Sequence, residues 1–89
     1  MMSRNDKMFK EVAGREHKVY TSASVNGPVL ANNLCQGDVI IITNTVNTPD
    51  GIFGKLSHQT LSALYFESSV GYVLLSSHDE DYFQVVHQF

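Results

Sequence analysis

The densest run of potential ligands in the chain is His78-Asp79-Glu80-Asp81. Neighbouring carboxylates are hard oxygen donors of the kind that hold Ca²⁺, but the run lacks the Asp-x-Asp-x-Asp-Gly spacing and distal Glu of an EF-hand loop. It reads as a solvated acidic turn, with Asp79 and Glu80 offered to a basic partner group. The histidines are His17, His58, His78 and His87, and no two stand four apart as a helical metal pair does, so no metal site is expected. Cys35 is the single cysteine, which excludes an intrachain disulfide and a cysteine-based zinc site. Gathered in space with His58 or His87, Cys35 would make a nucleophile and the chain a small Cys/His enzyme. Beside Leu34, a lone cysteine reads instead as a small buried hydrophobe. There is no Gly-x-Ser-x-Gly elbow and no phosphate-cradling glycine loop. The expectation is a non-catalytic chain with no cofactor.

The aromatic residues are the other candidates. Tyr65, Phe66, Tyr72, Tyr82 and Phe83 fall in the second half of the chain, and Phe53 opens a strand before them. A domain this small needs some of them for its core, and any left exposed form a patch suited to partner contact. The expected binding residues are Phe53, Tyr65, Tyr72 and Tyr82, with Asp79 and Glu80 beside them.

The 89 residues carry a formal net charge of −3, distributed unevenly. Arg4, Lys7, Lys10, Arg15 and Lys18 stand at the start; from residue 19 onward only Lys55 is basic, against Asp38, Asp50, Glu67, Asp79, Glu80 and Asp81. A body of that sign is a poor grip for phosphates, so no nucleic-acid partner is expected. The polar first ten residues are unlike a signal peptide, and no apolar run has the length of a membrane span. Those features and the lone cysteine suggest a cytoplasmic protein with no membrane partner.

These residues need elements to position them. Val39-Ile40-Ile41-Ile42 is an unbroken β-branched run, stiff at χ1 and suited to a strand covered on both faces. Asn47-Thr48-Pro49-Asp50-Gly51 is turn chemistry, and Ile52 to Leu56 a second strand with Gly54 marking a bulge or close approach. Further strands are expected over Lys18 to Val25, Val70 to Leu75 and Tyr82 to Phe89, with a short strand or apolar link over Val29 to Leu34. Leu61, Leu64 and Tyr65 have helical spacing, with Thr60 as a possible cap. Residues 1–17 are expected as a flexible arm or a one- to two-turn helix capped by Ser3 or Asn5, and 18–89 as the domain. Four or five short strands with little helix predict a small all-β sandwich or barrel.

The order Gly27-Pro28, Gly37-Asp38, Asp50-Gly51-Ile52-Phe53, Gly71-Tyr72-Val73 resembles SH3-like barrels, closest to the bacterial-type SH3 (SH3b) group, over residues 18 to 89. The resemblance implies a barrel of about five strands. It also implies a non-catalytic protein–protein interaction module within a larger protein or assembly, such as a multidomain ubiquitin ligase. Its alternative is the glycan- or cell-wall-binding role of some SH3b domains, disfavoured by the lack of tryptophan and of a signal peptide. The Ala-Leu-Tyr-Asp-Tyr motif and tryptophan pair of proline-peptide-binding SH3 domains are absent, and Ala63-Leu64-Tyr65 lies too late in the chain to replace the motif. Polyproline binding, which needs an aromatic-lined groove, is therefore not implied.

Overall fold

The computed structural model describes residues 5–89. The hairpin anticipated from the β-branched run is β4 (Val39–Thr48) followed by β5 (Gly51–Leu56). Side chains alternate along a strand, so Ile40 and Ile42 turn to the core while Val39 and Ile41 turn to the opposite face, as their burial shows. The connection is tighter than the five residues expected. Only Pro49-Asp50 separates the paired ends Thr48 and Gly51. Thr48 closes it: its Oγ1 accepts the Asp50 N–H at 3.2 Å and donates to the Gly51 carbonyl at 2.9 Å.

The other strands are β1 (Lys7–Glu11), β2 (His17–Tyr20), β3 (Val29–Leu34), β6 (Tyr72–Ser76) and β7 (Phe83–Gln88), with one helix, α1 (His58–Ala63). They form a single antiparallel sheet in the order β3-β2-β6-β5-β4-β1-β7. The all-β expectation holds at this level, but the sheet has seven strands and is not closed into a barrel. Tyr82 N–H donates to the Leu75 carbonyl at 2.9 Å, and Ser76 bridges Asp81, so the start of β7 returns beside the end of β6. It goes no further along β6 and pairs with β1 instead, from Phe83 opposite Glu11 to Gln88 opposite Lys7.

The segment expected as a flexible or short-helical arm is corrected most. Lys7–Glu11 is β1, laid between β4 and β7 with Phe9 and Glu11 turned inward, and His17 begins β2. Tertiary pairing outweighs the polar local composition. The proposed cap Ser3 lies outside the described residues. The strand expected over Lys18 to Val25 ends at Tyr20, and Val29–Leu34 resolves as a strand rather than a link.

One face of the sheet carries the core: Phe9, Val19, Ile40, Ile42, Leu56, Val73, Leu75 and Phe83, with Leu34, Leu61 and Phe66 completing it. Gly54 is the close approach that its position suggested. A Cβ there would stand 2.8 Å from Leu75 Cδ1 and 2.9 Å from Ile42 Cδ1. Helix α1 is capped by Ser57 and not by Thr60: Ser57 Oγ accepts the Thr60 N–H at 3.1 Å. Thr60 ties the helix to the sheet, its Oγ1 accepting the Ile41 N–H at 2.9 Å. Among the described residues no helix is long and apolar enough to cross a membrane.

Candidate interaction surface

The face opposite the core is assembled by strand alternation. Lys18 and Tyr20 point there from β2, Tyr72 and Leu74 from β6, Phe53 and Lys55 from β5, and Asn44 and Val46 from β4. Register lines them up. Tyr20 pairs with Tyr72, Tyr72 with Lys55 and Lys55 with Asn44; Leu74 pairs with Phe53 and Phe53 with Val46. Phe53 is fully buried although it lies outside the main core, and its ring meets Tyr20 edge-on at 6.0 Å between centroids. Around this floor Tyr20, Tyr72 and Leu74 are half-buried, and Val46 is exposed.

Strands β2 and β6 share only the Tyr20–Tyr72 pair and then splay apart. The fork between them opens a groove of about 340 Å³ lined by Arg15, Glu16, His17, Lys18, Tyr20, Leu74 and Tyr82. The Arg15 guanidinium lies over the Tyr82 ring at 4.5 Å from its centroid and reaches Glu80 at 3.7 Å. Tyr82 is fixed at its far end by an Oη–H bond to Ser77 Oγ at 3.1 Å.

Behind this groove lies a buried carboxylate. The Glu11 side chain is 1% exposed and the His17 side chain 9%. Glu11 Oε1 accepts the N–H groups of Gly14 and Gly37, each at 3.1 Å; Oε2 accepts the Arg15 N–H at 3.3 Å and lies 2.8 Å from His17 Nε2. One side chain thus ties β1, the 12–16 loop, β2 and the turn before β4. Burial pushes the Glu11 carboxyl up, but the bond to His17 and those from Gly37, Arg15 and Gly14 outweigh it and hold the pKa at about 2. The His17 ring packs on Tyr82 and Phe83, at 5.6 and 4.8 Å between centroids, so the same cluster sets the groove wall.

The structure gathers some of the predicted residues and separates others. Tyr72 lies on the outer face, where Phe53 is buried floor and not an exposed contact; Tyr82 lines the groove, and Glu80 is tied to it through Arg15. Asp79 is exposed in the turn before β7. Phe66 and Phe83 belong to the core. Tyr65 stands apart beyond α1, 83% exposed, with φ 61. It occupies the left-handed position after the helix: Phe66 N–H donates to the Leu61 carbonyl at 2.8 Å and Tyr65 N–H to Ser62 at 3.1 Å, the paired bonds of a helix end that favours glycine. Asn32 Nδ2 donates to the Tyr65 carbonyl at 3.2 Å and holds the turn.

Cys35 is exposed in the turn after β3, contrary to its reading as a buried hydrophobe. Its N–H donates to Asp38 Oδ2 at 2.7 Å, and that turn carries it out of the core in which Leu34 ends. Among the described residues no hydrogen bond joins Cys35 to a histidine, and no group of three His, Cys, Asp or Glu is placed to hold a metal. Sequence reasoning missed Tyr20, Leu74, Arg15 and Lys18. Alternation from Tyr20 and Tyr72 was a usable signal for the outer face; the β2–β6 fork left none. Comparisons with protein-family models, curated proteins and solved structures find no match.

Proposed function

We propose that this protein is a non-catalytic interaction module that holds a protein partner on the outer face of its sheet, beside the β2–β6 groove. The observation that supports this is the strip formed by Tyr20, Tyr72, Leu74 and Val46 over buried Phe53. Aromatic side chains half-exposed on a rigid sheet have lost most of their freedom before a partner arrives, the condition under which Tyr contributes most at an interface. The role that the SH3-like resemblance implies carries over as an analogy only, with the module set in a larger protein or assembly, a multidomain ubiquitin ligase being one such setting. An exposed free thiol at Cys35 suits a reducing compartment, consistent with a cytoplasmic role.

The test is a titration of the purified partner recovered with the whole chain. Tyr72→Ala is expected to weaken binding about 30-fold, an anchor-sized loss of about 2 kcal/mol, with the melting transition retained. Unchanged affinity in the folded variant would overturn the assignment of this face.

A further inference from the structure

We infer that the partner segment held on this face is an extended, acidic peptide with aliphatic side chains; the inference rests on the interaction role just proposed. It comes from where the charges lie. The chain is net negative, yet eight of its nine carboxylates lie outside the strands, Glu16 and Glu80 nearest the groove. Alternation puts none on the outer face of the strands. The inward carboxylate of β1, Glu11, is buried and already satisfied by four partners. The charged side chains that do point outward from the strands are Lys10 on β1, Lys18 on β2 and Lys55 on β5. Lys55 pairs directly with Tyr72, which pairs with Tyr20, so two lysines bracket two tyrosines across three neighbouring strands.

The fork groove adds Arg15, which shares its charge with Glu80 at 3.7 Å, and Glu16 at the rim. Leu74, Tyr20 and Tyr82 supply its apolar lining, which admits an aliphatic side chain. An extended segment that turns carboxylates and an aliphatic residue to the sheet from the same side matches both features: carboxylates to Lys18 and Lys55, aliphatic group to Leu74. A nucleic acid would use the tyrosines as stacking platforms, but these few lysines fall short of the cation density that such binding draws on. Opposite charge across the contact raises the association rate and excludes basic competitors.

The experiment follows backbone amide NMR signals of the whole chain. The probes are a short peptide with glutamate, leucine and glutamate at every second position and serine between them, its counterparts with lysine or glutamine in place of glutamate, and a single-stranded oligothymidylate. The expected result is that the glutamate peptide alone shifts signals of Lys18, Tyr20, Lys55, Tyr72 and Leu74. Binding should weaken about tenfold in the double variant Lys18→Glu, Lys55→Glu, whose dispersed spectrum reports that it stays folded. If the lysine or glutamine peptide binds the same signals as well or better, the acidic partner is refuted while the interaction surface stands. Tighter oligothymidylate binding there would replace the peptide with a nucleic acid. If every probe leaves these signals unmoved, the inference and the surface assignment fall together.

Discussion

Replacing Glu11 with glutamine removes one charge and leaves the shape, which isolates what the buried carboxylate contributes. If the amide oxygen takes the Oε1 position, it keeps the N–H groups of Gly14 and Gly37, and the new NH₂ faces the Arg15 N–H and His17 Nε2. His17 can answer by presenting a lone pair, but the Arg15 N–H is left pointing at a donor. Two charge-assisted bonds of about 1.5–3 kcal/mol each are lost and one neutral bond of about 1 kcal/mol is regained, a net cost of about 2–5 kcal/mol. A chain of this length has a total stability of about 4–13 kcal/mol, and in this size class each kcal/mol moves the melting midpoint by about 4–8 °C. The pH dependence gives the second readout. The folded pKa of Glu11, about 2, lies below its ordinary value of 4.5, so its contribution is complete above about pH 5 and is lost as pH falls from there toward 2. Urea unfolding from pH 7 down to pH 3 is expected to show declining stability in the native protein and a flatter acid limb in Glu11→Gln. A variant within 0.5 kcal/mol of the native protein at pH 7, or with the same acid limb, would refute the role given to this carboxylate.

Three further substitutions test the local physics. Tyr65→Gly relieves a left-handed backbone at an exposed position and is expected to raise stability by about 1 kcal/mol in chemical denaturation; a loss would mean that the ring packs on something. Gly54→Ala forces a methyl against Leu75 and Ile42 and is expected to cost about 1–3 kcal/mol, with a calorimetric midpoint near the native one as the contrary result. Ser57→Ala removes the cap of α1 and is expected to cost about 0.5–2 kcal/mol, with faster amide exchange at Thr60 as its local signature.

Much of the sheet was legible because its signals are local. Four β-branched residues and a Pro-Asp-Gly turn define β4 and β5 without reference to the rest of the chain. β1 was not legible: Lys7, Phe9 and Glu11 share the inward face, and a glutamate is acceptable there only because His17 and the N–H groups of Gly14, Arg15 and Gly37 meet it. Closure was misjudged for a related reason. β7 meets β6 only around the Ser76–Asp81 bridge and otherwise pairs with β1, a contact more than seventy residues apart in sequence at Glu11 and Phe83. Tyr72, Tyr82 and Glu80 were found from residue type alone. Tyr20 reaches the outer face through its pairing with Tyr72, and Arg15 and Lys18 line the groove beside it, neither of which is local in sequence.

The account depends most on the outer face being where a partner sits. A photo-crosslinking phenylalanine analogue placed at Tyr72, and separately at Val85 on β7 as a comparison, tests this directly in the whole chain incubated with its purified partner. The expected result is a discrete adduct from position 72 and little from position 85. Equal yields from both, or an adduct from position 85 alone, would contradict it.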